Sequence, residues 1–194
     1  MTNLARTLRE LLESFPPDRA LALVGGLAVS ARTEPRFTRD LDFAIAVEND
    51  AEAESIVFGL QGRGFTVVAT IEHATMHRLA TVRLRQHARA PFVDLLFASC
   101  GIEPEIVGAA SPLEILGVTA AVATVGHLIA MKLVSRDPKR RPRDQQDLVE
   151  LAKAAGALEW KRAEASIELI AQRGFSRGRD LVAGLAEIRS LADE

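Results

Sequence analysis

The 194-residue chain holds one cysteine, Cys100. No intrachain disulfide can form, and a reducing compartment suits such a chain. An excess of one charge is missing too: 24 Lys and Arg stand against 26 Asp and Glu, for a formal net charge of −2. That balance excludes a protein that coats nucleic acid through bulk charge, and leaves room for a local basic patch. No apolar run approaches the roughly 20 residues of a membrane span. The N-terminal stretch MTNLARTLRELLESF interleaves charges with leucines and lacks the apolar centre of a signal peptide. Repeats and low-complexity segments are absent. The expectation is a cytoplasmic protein without membrane contact.

What is present is an ordinary globular composition, 48% hydrophobic and 26% charged, in a length that suits one core domain with a small helical appendage. Leu4, Leu8, Leu11, Leu12 and Phe15 recur at helical spacing until Pro16-Pro17 ends the pattern. ALALV (20–24) reads as a buried strand stopped by Gly25-Gly26, with a brief helix from Leu27 to about Ala31. The polar loop RTEPRFTR leads into a strand from Leu41 to Val47. Residues 50–62 read as a helix with Ile56, Val57 and Leu60 facing in. Residues 65–72, 79–86 and 91–98 read as strands. In the second of these, Ala80, Val82 and Leu84 alternate with Thr81, Arg83 and Arg85, as in a half-exposed antiparallel strand. From about residue 112 helical periodicity takes over. The predicted fold class is α/β (α+β). A mixed β-sheet flanked by helices fills residues 1–110, and a helical C-terminal region, 111–194, packs on it. The seam falls near Ala109–Pro112, with a second break at Pro138–Pro142.

Two aspartates head the strand that starts at Leu41, and their charge is out of place. Asp40 and Asp42 point to the same face, which continues with the small Ala44 and Ala46, while Leu41, Phe43, Ile45 and Val47 take the other. Carboxylates this close repel, so either one holds a proton or a cation lies between them. Magnesium prefers oxygen ligands and keeps phosphates and waters in its shell, so the pair suits it. Asp94 is the only charge in PFVDLLFA, with Phe92 and Leu96 on its face. Plainer roles exist: a cap for Asp40, and a buried ion pair with an arginine for Asp94. Gly25-Gly26 is either a tight turn or a place where backbone amides approach a phosphate.

Further along, Val125, Leu128, Ile129 and Lys132 share a helical face, which brings an ammonium out of a buried stripe or leaves it snorkelling. Asp144, Asp147, Leu148 and Leu151 share another, although acids in a first turn after Pro142 also suit the helix dipole. Arg136, Lys139, Arg140, Arg141 and Arg143 form a basic loop that is either a solvated face or a contact for triphosphate or RNA. His73 and His77 have ligand spacing without a third ligand nearby. Cys100 has no histidine partner in sequence and reads as a small buried residue. GFSRGRD (174–180) reads as a helix break followed by a Ser176 cap.

Gly25-Gly26, Arg36-x-Thr38-x-Asp40-Leu41-Asp42, the lone Asp94, Lys132-Leu-Val-Ser-Arg136 and Arg143-Asp144-Gln-Gln-Asp147-Leu148 together resemble the AbiEii-type nucleotidyltransferase toxins of bacterial toxin–antitoxin pairs, within the DNA-polymerase-beta-like nucleotidyltransferase superfamily. The likeness spans about residues 20–155. Thr38 stands where the family has serine, and the C-terminal helical part is shorter than in many members. The resemblance implies a nucleotidyltransferase-type sheet and transfer of a nucleoside monophosphate from an NTP to an acceptor hydroxyl, with pyrophosphate released. It implies Mg²⁺, in two ions held by Asp40, Asp42 and Asp94, and catalysis by these three with Lys132. It also places Gly25, Gly26, Arg36, Thr38, Arg136 and Asp147 around the nucleotide, with tRNA or protein as acceptor and an antitoxin as partner. Two rivals stay open: an aminoglycoside-type small-molecule nucleotidyltransferase, and a non-catalytic nucleotidyltransferase-like binding protein.

Overall fold

Alternating strands become a seven-stranded sheet in the computed structural model, which describes residues 2–16, 19–137 and 142–192. Helix α1 (Asn3–Glu13) opens the chain, capped by the Thr2 hydroxyl, which accepts from the Ala5 N–H. It buries Leu8 and Leu11 completely. Strand β1 (Leu21–Val24) runs straight into α2 (Gly25–Arg32), so this helix begins at the glycine pair rather than after it. β2 (Leu41–Ile45) follows, then α3 (Asp50–Gln61), β3 (Thr66–Glu72), β4 (Leu79–Arg85) and β5 (Val93–Leu96). Of the three residues expected to face in from α3, Leu60 is buried and Ile56 and Val57 are half-buried, while Ala53 is fully buried.

Three elements went unforeseen. Residues 103–109 form a short helix, α4 (Glu103–Ala109). Residues 111–122, expected to open the helical region, instead make the hairpin β6 (Ser111–Ile115) and β7 (Val118–Val122), turned at Leu116-Gly117 with both φ angles positive, 54° and 76°. Helices then occupy the rest: α5 (Val125–Ser135), α6 (Pro142–Ala154), α7 (Ala157–Gln172) and α8 (Leu181–Ala192). The expected Ser176 cap is also corrected, because α8 is capped by the Asp180 carboxylate, which accepts from the Ala183 N–H.

The strand order is β3-β4-β5-β2-β1-β7-β6. Antiparallel pairing alternates with two parallel joints, β5 to β2 and β1 to β7, so the sheet is mixed as expected. Leu41, Phe43 and Ile45 of β2 are wholly buried and anchor the core. Against the sheet, α5 packs on α6, α7 and α8, and α2 touches both α5 and α6. Lys132 of α5, where the later motif Lys132 to Leu148 begins, lines the same cavity as Gly25 and Gly26.

Candidate active site

One row of residues crosses the sheet and defines the site. Arg83 of β4 lies opposite Asp94 of β5, Asp94 opposite Asp42 of β2, and Asp42 opposite Val24 of β1. Residues directly opposite on paired strands share a face, so a guanidinium and two carboxylates stand side by side. Asp40 joins them from just ahead of β2. All four line a cavity of about 560 Å³, together with Gly25, Gly26 and Lys132. The room above the aspartates has a different source from the one expected. Ala44 is fully buried and outside the cavity wall, whereas Ala69 and Ala80 from β3 and β4 line it.

Gly25 is required by this geometry. Its φ is +65°, and a Cβ there would lie 2.0 Å from Asp42 Oδ2. The backbone at the start of α2 thus approaches the carboxylate as closely as only glycine permits. At Gly26 a Cβ would meet an Arg36 guanidinium nitrogen at 3.1 Å and Thr38 Oγ1 at 3.2 Å, so these two side chains pack over the second glycine. Gly25→Ala should therefore lower the melting temperature by about 5–10 °C, from left-handed strain plus the clash. Gly26→Ala should shift it by less than half as much. A thermal melt of both variants checks the contrast.

The charges are not balanced evenly. Asp94 is buried, and Arg83 grips both its oxygens, with Nε donating to Oδ1 at 2.7 Å and a terminal nitrogen to Oδ2 at 2.6 Å. The arginine pairing considered for Asp94 is thus present. Asp40 and Asp42 form no salt bridge among the described residues. Burial raises the Asp40 carboxyl above its ordinary range, opposed chiefly by Arg83. Asp42 is pushed up to about 7, first by burial and then by the charges of Asp94 and Asp40, with Lys132 and Arg83 only partly offsetting them. Arg83 itself is held more firmly protonated by its bond to Asp94. Two adjacent carboxylates, unpaired and with charge that the protein does not neutralise, are a donor set that fits a hard divalent cation. No three His, Cys, Asp or Glu side chains among the described residues are grouped as a ready metal cage. The fit therefore rests on Asp40 and Asp42, with phosphate oxygens left to complete a shell.

Lys132 reaches the cavity wall but its ammonium is engaged, 2.6 Å from Asp144 and 2.6 Å from Asp147. Arg36 binds the same Asp147 oxygen, Oδ2, at 2.7 Å. Arg36, Asp147, Lys132 and Asp144 thus form one chain of alternating charge that ties the loop before β2 to α5 and α6. Asp147 is buried behind the wall, where it holds Lys132 and Arg36 rather than facing a ligand. Arg136 turns away from the large cavity. It makes a bidentate pair with Glu187 of α8, at 2.8 and 2.7 Å, beside a separate cavity of about 340 Å³. Arg143 is exposed, and Lys139, Arg140 and Arg141 lie outside the described residues.

Sequence reasoning missed Arg83, Ser99 and Arg177, which line the large cavity together with Cys100. Arg83 sat in plain view, on the charged face of an alternating strand. Cys100 is buried, as expected, and burial raises its thiol well above the ordinary range, which disfavours the reactive thiolate. His73 packs against the Phe175 ring at 4.5 Å, a core role.

Comparison with known proteins fixes the family. The family model described as nucleotidyl transferase AbiEii toxin, type IV toxin–antitoxin system, matches residues 6–193. The chain belongs to the AbiEii nucleotidyltransferase toxin family. It is a nucleotidyltransferase. No curated protein sequence matches it. Among solved structures, it is similar to an antigenic nucleotidyltransferase-like protein from Paracoccidioides brasiliensis, with 17% identity, 94% of this chain and 90% of that one covered, and a TM-score of 0.51. It is also similar to MenT4, a nucleotidyltransferase toxin from Mycobacterium tuberculosis, with 14% identity, 97% and 92% covered, and a TM-score of 0.45. The first of these likenesses concerns the fold alone. No helix among the described residues is long and apolar enough to cross a membrane.

Proposed function

We propose that this AbiEii-family protein transfers a nucleoside monophosphate from an NTP to a hydroxyl of an RNA, in tRNA or a related molecule, as the toxin of a pair with an antitoxin. The observation that carries this reading is the convergence of Asp40, Asp42 and Asp94 with Gly25-Gly26 and Lys132 on one cavity. Asp40 and Asp42 would hold Mg²⁺, which when bound neutralises triphosphate charge and polarises the α-phosphate. The start of α2 offers backbone N–H groups to the phosphates, with no side chain at Gly25 or Gly26 to obstruct them. Lys132 braces the phosphates from α5, and Arg36 and Thr38 fix the loop that carries Asp40. Asp94 stands beside Asp42 at the acceptor side.

RNA is favoured over a small cationic acceptor by the groups near the acids. Arg39 lies over the Phe37 ring at 5.6 Å, and Arg83 and Arg85 lie over Phe92 at 5.0 and 5.1 Å. Arginines stacked on aromatic rings attract phosphates and offer faces to bases. A protein acceptor has no comparable support in these groups. The setting for such a reaction is the cytoplasm, where NTPs and RNA are supplied.

The test is incubation of the protein with each radiolabelled NTP, Mg²⁺ and, separately, total cellular RNA, cellular protein or aminoglycosides. Label should enter RNA, with one nucleotide preferred, and an Asp42→Asn protein should leave the RNA unlabelled. Label confined to protein or to aminoglycosides would overturn the acceptor assignment.

A further inference from the structure

The resemblance to nucleotidyltransferases with two ions needs a third carboxylate free to ligate the second ion, and here that carboxylate is taken. Both oxygens of Asp94 accept from Arg83, at 2.7 and 2.6 Å. The pair is built in by the sheet rather than made by chance rotamers. Arg83 and Asp94 are register partners on adjacent antiparallel strands, and Asp94 and Asp42 are register partners on the next. The guanidinium is further steadied by the Phe92 ring beneath it, 5.0 Å away. Asp94's side chain is 12% exposed, so the bond is shielded from water, and Arg83's is 40% exposed, open to the cavity.

We infer that Arg83 occupies the place of a second metal ion: the site takes a single divalent cation, on Asp40 and Asp42, and the guanidinium supplies the other positive charge. The inference rests on the reading that this cavity binds a triphosphate with a cation. It changes what Asp94 does. Asp94 becomes a positioning residue that aims Arg83 into the cavity, where the planar fork can meet an incoming phosphate or the oxygens of the acceptor. A second Mg²⁺ on Asp94 would have to displace a bidentate charge-assisted bond. A guanidinium also differs from a divalent ion in being weakly hydrated and needing no ambient supply.

Mn²⁺ can be counted directly, without turnover. Full-length protein at equal concentration with a non-hydrolysable α,β-methylene triphosphate is titrated with Mn²⁺, and free ion is followed by electron paramagnetic resonance. Wild type should bind one Mn²⁺ per chain. Asp94→Asn, which removes a negative charge beside Asp42 and leaves Arg83 unpaired, should bind no more than one, and more weakly than wild type. Arg83→Gln, which releases Asp94, should gain a second, weaker ion at millimolar Mn²⁺. Two ions on the wild type or on Asp94→Asn, or no second ion in Arg83→Gln, would each overturn the inference. The triphosphate chelates Mn²⁺ by itself, so a titration of triphosphate without protein runs alongside: a count and dissociation constant that no protein changes would overturn the triphosphate–cation reading beneath the inference. Thermal melts run beside the titration confirm that both variants fold.

Discussion

Asp42→Asn will abolish nucleotidyl transfer and leave the protein at least as stable as the wild type. Both halves follow from one carboxylate. For function, Asp42 is one of two unpaired acids facing the cavity, and an amide neither neutralises a cation nor binds it with comparable strength. A fall in transfer rate of about 10³-fold or more is expected, equivalent to roughly 4 kcal/mol of lost transition-state stabilisation. For stability, the Asp42 carboxyl is raised from 3.8 to about 7 in the folded chain by burial and by Asp94 and Asp40. A group whose folded value is raised contributes stability that is present below its unfolded value and lost as pH climbs through the folded one. The metal-free protein should thus lose stability between about pH 4 and pH 7, on the order of 2–4 kcal/mol from this group alone. Asparagine, neutral throughout, should remove that slope. Melting curves from pH 5 to 8 should show the gap between variant and wild type widening in the variant's favour. Mg²⁺ with triphosphate should then raise the wild-type melting temperature more at pH 8 than at pH 5, and leave the variant unmoved. Parallel pH profiles for the two proteins would show that Asp42 carries no unrelieved charge, and the cation site would lose its main support.

Much of this site could be read from the chain before any coordinates. Asp40, Asp42 and Asp94 stood out because a charge within an apolar strand is expensive, and that cost is visible in one dimension. Gly25-Gly26 was legible for a similar reason, since a glycine pair between strand and helix marks backbone that must come close to something. Arg83 was not legible, because alternation assigns it correctly to the less buried face of β4 but cannot say that this face lines the cavity. Its role depends on register across two strand pairings, which sequence spacing does not encode. The β6–β7 hairpin hid for another reason. Its turn, Leu116-Gly117, puts leucine at a positive φ of 54° where asparagine or aspartate would have signalled it. α4 is only seven residues long and has no side-chain cap at its start; the Glu103 carboxylate instead accepts from the Ser99 and Cys100 N–H groups of the preceding loop. The acids of the later motif were placed on the inward face of their helix, as found, but the partners that make them tolerable, Lys132 and Arg36, come from elements far apart in the chain.

Those partners set up the second large effect. Lys132→Ala should cost about 3–5 kcal/mol of stability, because it strands acids whose side chains are only 9% (Asp144) and 2% (Asp147) exposed, with Arg36 left to hold Asp147 alone. In a chain of this length that is a fall in melting temperature of roughly 10 °C. Triphosphate binding should fail as well, and the single variant cannot say whether a phosphate contact or merely a pillar was lost. The double variant Lys132→Met with Asp144→Asn separates the two. It removes one cation and one anion together, keeps the aliphatic stem in the buried stripe, and leaves Asp147 paired with Arg36. Stability should return to within about 1 kcal/mol of wild type, since a buried pair replaced as a unit is often near neutral. If Lys132 reaches a phosphate when the triphosphate enters, exchanging Asp144 and Asp147 for a new anion, then binding of a non-hydrolysable triphosphate measured by calorimetry should stay at least tenfold weaker in the stable double variant. A double variant that binds like wild type would reduce Lys132 to a strut between α5 and α6, and the phosphate-bracing role would pass to the α2 backbone and the guanidinium of Arg83.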